Sequence, residues 1–112
     1  MEKAGDDERA ATDLLNLGHV EISAFHAQQA AEKALKAAQI SKLGRFDRTH
    51  DLVLLCRSLK APAVVEGHAA VLSQYYVASR YPDAPGGITG AEASQALSRC
   101  AEVIRWARTQ TS

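Results

Sequence analysis

The chain has 112 residues, a formal net charge of zero and 46% hydrophobic residues. That length fits one core of useful size, so residues 1–112 are expected to form a single domain, and the charge balance argues against a protein that coats nucleic acid non-specifically. No apolar run approaches the roughly 20 residues that span a bilayer, and the charged start "MEKAGDDERA" is unlike a signal peptide, so a soluble, cytoplasmic protein with no membrane contact is expected. Cys56 and Cys100 lie far apart among apolar neighbours and read as buried free thiols of a reducing compartment.

Alanine, leucine and straight-chain charged residues dominate, and β-branched runs are absent, which favours helix throughout. The first helix is expected from about Asp7 to Leu17, with Ala11, Leu14, Leu15 and Gly18 on one face and Gly18 breaking it. The second spans about Glu21 to Leu43 and is closed by Gly44. Thr49 is the expected N-cap of the third, which buries Leu52, Leu55, Cys56 and Leu59. Pro62 starts the fourth and puts Val65, His68, Leu72 and Tyr75 on one stripe. In the fifth, Thr89 and Glu92 have capping-box spacing, and Ala93, Leu97, Cys100, Ile104 and Ala107 form the inner stripe. Short connections between long helices predict an all-α, up-and-down four-helix bundle with an additional short helix. Its core should bring together Leu35, Leu55, Leu72, Tyr75, Leu97, Cys100 and Ile104.

The second helix places polar residues inside an apolar stripe. Ile22, Phe25, Gln29, Glu32, Lys36, Ile40 and Leu43 share one narrow face, and its centre is polar. Glu32 and Lys36 are either an i,i+4 pair at a surface edge or part of a polar seam meeting His50, Asp51, Arg80 and Asp83. The far side carries Ala27, Ala30, Ala34 and Ala37, small enough for another helix to approach closely, from a second chain or from this one. Lys33, Lys36, Lys42, Arg45, Arg48, Arg57 and Lys60 outnumber the acids between residues 33 and 60. Such an excess suits a phosphate-bearing ligand or an acidic partner, and equally a solvated helical surface.

The stretch "QYYVASRYPDAPGG" ends the fourth helix, because Pro82 lacks an N–H and pushes Tyr81 from helical angles. Three blocks now follow in order: "AFHAQQAAEKALKAA" (24–38), "THDLVLLC" (49–56) and "LSQYYVASRYPDA" (72–84). Together they resemble the HEPN domain, the small helical domain of higher eukaryotes and prokaryotes associated with nucleotide binding. The resemblance implies a four-helix bundle that often pairs as a homodimer. It also implies a frequent companion, a minimal nucleotidyltransferase, in two-component systems of toxin–antitoxin type.

Many members of the wider family are metal-independent ribonucleases with an Arg-x(4–6)-His motif, but no histidine follows Arg80 here. The formal match "RFDRTH", Arg45 to His50, lies in a connection and is read as coincidental. An accessory protein binding a nucleotide or RNA is therefore expected, the alternatives being a ribonuclease or a non-catalytic interaction module. With the family in view, Arg80 offers a fork for phosphate one turn after Tyr76, and Tyr81 a ring for stacking. Asp83 orients Arg80 or accepts from a ribose, Lys36 adds charge, His50 a titratable donor, and Gln29 and Glu32 complete the candidate set. The competing reading is a structural ion-pair network of Arg80 with Glu32 or Asp83. No metal-ligand spacing or cofactor motif is present, and none is expected. His68 reads as a satisfied core histidine. Trp106 reads as either a core edge or a partner anchor.

Overall fold

The computed structural model describes residues 2–78 and 88–111. Five helices account for it: α1 (Glu2–Asn16), α2 (Val20–Leu43), α3 (Leu52–Ser58), α4 (Ala63–Ala78) and α5 (Gly90–Gln110). No strand occurs among the described residues. None of the helices is long and apolar enough to cross a membrane, again among the described residues.

Local chemistry explains the helix ends. Gly18 and Gly44 take left-handed angles (φ 85° and 73°), which a Cβ disfavours, and each closes a helix. The Gly44 N–H donates to the Ile40 carbonyl at 3.0 Å, satisfying an end carbonyl of α2. The capping box of α5 is formed: Thr89 Oγ1 accepts from the Glu92 N–H, and the Glu92 carboxylate accepts from the Thr89 N–H.

Three expected boundaries shift. α1 starts at Glu2 rather than Asp7, because Ala4 is fully buried and packing carries the helix upstream. The N-cap of α3 is Asp51, not Thr49: its carboxylate reaches the Val53 and Leu54 N–H groups at 2.9 and 3.4 Å. A carboxylate is the stronger acceptor at a helix N-terminus, and Thr49 instead accepts from the Asp51 N–H. α4 runs from Ala63, with the Pro62 carbonyl accepting from Glu66 ahead of it.

The four longer helices make an up-and-down bundle, with the short α3 laid against α4 and α2. α2 packs chiefly on α5 and α1, and α4 closes the bundle against α5 and α2. The core is Leu35, Leu52, Leu55, Leu59, Leu72, Tyr75, Cys100, Val103 and Ile104 around a bed of buried alanines. Leu97, expected within it, is half-buried at its edge, and Trp106 also packs there.

The small face of α2 has a different role from the one open to a second chain. Ala27, Ala30 and Ala34 are fully buried within the chain. Ser23, on the same side, donates to the Ala11 carbonyl of α1 at 2.6 Å, and His26 and Lys33 both meet Asp7 of α1. The alanines thus bring α1 close to α2. Conversely Ile22, Ile40 and Leu43, the apolar ends of the polar stripe, are exposed.

Candidate functional site

The site begins with a loop that a buried glutamine holds. Gln39, fully buried on α2, donates to Asp47 at 3.0 Å and to Ser58 Oγ at 2.7 Å, and accepts from the Asp47 N–H at 3.0 Å. A buried amide must satisfy its polar atoms, so it ties the α2–α3 connection at Asp47 to the end of α3 at Ser58. Downstream, the Leu52 N–H donates to Ser73 Oγ of α4 at 2.8 Å. Between these anchors stands His50.

The centre of the site is the buried carboxylate of Glu32. Lys36 Nζ donates to it at 3.1 Å, Gln28 Nε2 at 3.2 Å, and His50 Nδ1 lies 3.0 and 3.1 Å from its two oxygens. An ionised carboxylate only accepts, so the His50 proton facing it sits on Nδ1. The ring's other nitrogen, Nε2, is then directed away from Glu32, on a side chain that is 51% exposed. Gln28 also reaches the His50 carbonyl at 3.4 Å, and Gln29 donates to Gln28 Oε1 at 2.6 Å. Three donors around one carboxylate offset its desolvation.

Aromatic stacking sets the ring plane. The His50 imidazole lies on Tyr76 of α4 with centroids 4.3 Å apart and planes 14° apart. Phe25 of α2 stacks on Tyr76 in turn, at 6.0 Å and 28°. The imidazole is thus held by a hydrogen bond in its plane and a ring against its face. Such a group can donate to, or take a proton from, a ligand oxygen at Nε2.

Of the residues singled out in sequence, the structure brings together Gln29, Glu32, Lys36, His50 and Tyr76. Arg80, Tyr81 and Asp83 lie outside the described residues. Arg45 does not join the cluster by any ion pair among the described residues; it pairs with Asp47 at 2.7 Å. Asp51 caps α3. His68 is half-buried and accepts from Arg99 of α5 at Nδ1, 3.2 Å away. Two members of the cluster escape the sequence reading. Gln28 is one turn before Glu32, a spacing that points to their bond. Phe25 falls on the expected stripe, but its stacking role is not visible there.

The two thiols take no part. Burial pushes Cys56 and Cys100 up to about 12, with nearby Glu66 adding to the first and Glu8 and Asp7 to the second. A backbone contact to Ala31 opposes the shift at Cys100. At neutral pH both are protonated and inert. Among the described residues no group of three or more His, Cys, Asp or Glu side chains stands close enough to hold a metal ion.

A buried glutamate clasping a loop histidine, within the blocks quoted from the sequence, directs attention to the HEPN domain family, whose pattern matches residues 1–110. The chain belongs to that family. Solved structures share its fold: TT1696 from Thermus thermophilus superimposes with a TM-score of 0.89 at 32% identity, covering 97% of this chain and 93% of that one. ST0689, an archaeal HEPN homologue, gives a TM-score of 0.81 at 28% identity, with 97% and 92% covered. No curated protein matches the sequence.

Proposed function

We propose that this HEPN domain, acting as one unit over residues 1–112, binds a nucleotide or an RNA end at the corner formed by Glu32, Lys36, His50 and Tyr76. The observation that carries the reading is the doubly held imidazole: Nδ1 on a buried carboxylate, ring face on Tyr76, half of the side chain in solvent. Lys36 supplies a cation beside it, and Arg80 follows Tyr76 by one helical turn in sequence. Phosphate oxygens are the natural acceptors for these donors, and exposed ring edges suit a base. In this reading the protein is the accessory partner of a minimal nucleotidyltransferase in a two-component, toxin–antitoxin-like system.

The test is calorimetric titration with ATP, GTP and short single-stranded RNA. Binding should fall by about tenfold or more in His50→Ala and in Arg80→Ala, the loss of one charge-assisted contact. A chain that binds none of these ligands at millimolar concentration defeats the reading.

A second reading has its own observation. A carboxylate–imidazole pair is the arrangement of a general base, and His50 would take the proton of a 2′-hydroxyl attacking the neighbouring phosphate. RNA cleavage in excess chelator, leaving 2′,3′-cyclic phosphate ends and abolished in His50→Ala, would establish it. Intact RNA after long incubation would favour the accessory role.

We further propose a two-fold homodimer. Support comes from the family and from exposed Ile22, Leu43 and Leu54, since the alanine face is occupied within the chain. Sedimentation at tens of micromolar should give twice the 12.0 kDa chain mass. A species of 12.0 kDa would reject it.

A further inference from the structure

On the opposite flank of Lys36 from the imidazole corner, α1, α2 and the α2–α3 connection enclose an open pocket of about 500 Å³. Lys3, Lys33 and Lys36 stand around it, with Ile40 and Phe46 as its apolar walls. The space exists because the helices meet there through alanines: Ala4 and Ala37 line it and fill none of it. The volume is within the range of small-molecule sites.

Two features suit an occupant. Phe46 and Ile40 leave 48% and 53% of their surfaces in water although both belong to an apolar wall. Three lysines line the same pocket. Lys33 has Asp7 as counter-ion and Lys36 has Glu32, whereas Lys3 has no carboxylate partner among the described residues. Lys36 also lies 5.7 Å from the Phe46 centroid, inside cation–π range, so charge and ring are presented together. The complement of this arrangement is a body that is flat and apolar with a negative head.

We propose that the pocket binds a small aromatic anion, a flat ring carrying one phosphate or carboxylate group. The ring packs between Phe46 and Ile40 over the alanine floor, and the head lies toward Lys3 with Lys33 and Lys36 in support. Ring and head are both needed. The apolar wall alone would take a neutral aryl compound weakly, and the lysines alone would leave the anion hydrated.

The proposal shares Lys36 with the nucleotide reading, and its test separates the two through Lys3 and Phe46, which the His50–Tyr76 corner does not employ. Phenyl phosphate and benzoate are titrated into the full chain, followed by two-dimensional amide NMR, with inorganic phosphate and benzyl alcohol as bodiless and headless controls. At least one aromatic anion should bind at least about tenfold more tightly than either control. Its shifts should centre on residues 3–4, 33–40 and 46. Lys3→Ala and Phe46→Ala should each weaken it by about tenfold. Preference for phenyl phosphate identifies a phosphate ester as the natural class, and preference for benzoate a carboxylate. No saturation by either anion at millimolar concentration overturns the proposal. So does equal binding of inorganic phosphate, or affinity untouched in both variants with their spectra otherwise native.

Discussion

Along α2, the side toward α1 and α5 and the side toward α3 and α4 are built from opposite materials. The first is alanine with Leu35, buried completely, where helices approach through the absence of side chains. The second is Gln28, Glu32, Lys36 and Gln39, each held by a hydrogen bond to a specific partner. Size governs most of the first side, with Ser23 and the Asp7 contacts of His26 and Lys33 at its α1 edge, and polar pairing governs the second. The same helix can therefore hold the bundle together with one flank and present a histidine with the other. Substitutions should separate the two rules.

The largest effect belongs to the packed side. Leu35→Ala should lower unfolding free energy by about 2–5 kcal/mol, read from the urea midpoint, because it leaves a cavity among rigid neighbours. Ala34→Leu, which adds volume where α1 and α2 meet, should cost about 1–3 kcal/mol through overpacking. A neutral outcome for the second would mean that the alanines are not contact points. On the polar side a change of charge at constant shape is the sharper probe. Glu32→Gln should cost about 1–2 kcal/mol, since Lys36 and His50 lose their anionic partner and keep at most one neutral acceptor oxygen between them. Indifference there would make the clasp a surface ornament.

The thiols extend the comparison to alkaline pH. Both are held protonated up to about 12 in the fold, against an ordinary value of 9.0. Below pH 9 neither state ionises them and their contribution to stability is complete. Between 9 and 12 the unfolded chain releases the protons that the fold retains. Stability should therefore fall with rising pH, by up to about 1.4 kcal/mol per pH unit for each thiol. Cys56→Ala and Cys100→Ala, though less stable at neutral pH, should each show a shallower decline above pH 9. Parallel curves would show that the thiols ionise as easily folded as unfolded.

The packed side was largely legible from the sequence, because helical period and small-residue spacing state which positions face inward. Buried Leu35, Leu55, Leu72, Tyr75, Cys100 and Ile104 follow from it. What spacing withheld was the partner: the alanine row reads the same whether its neighbour is α1 or another chain. The polar side was legible in part. Glu32 and Lys36 stood out as charges within a stripe, and His50 as a residue at the right end of the bundle. The His50–Tyr76 stack and the Gln39 bracket join residues from different elements, and no local pattern encodes such contacts. Thr49 misled because Thr and Asp both cap, and only the backbone path decides which reaches the free N–H groups.

The smallest expected effect tests the meaning of "RFDRTH". Arg45 and His50 have the family's ribonuclease spacing, yet they face different partners: Arg45 bonds to Asp47, and His50 to Glu32. The Arg45–Asp47 pair is 62% and 41% exposed, so solvent and salt screen it. Arg45→Ala should therefore change the unfolding free energy by less than about 0.5 kcal/mol. Asp47 keeps its bonds to Gln39, so the loop that carries His50 should hold its shape. If the imidazole corner works with Lys36 and Tyr76, the variant should bind RNA as tightly as its parent. If Arg45 instead neutralises a phosphate beside His50, affinity or cleavage should drop by about tenfold or more with melting unchanged. Stability and RNA binding measured together on this one variant decide whether the spacing is chemistry or coincidence.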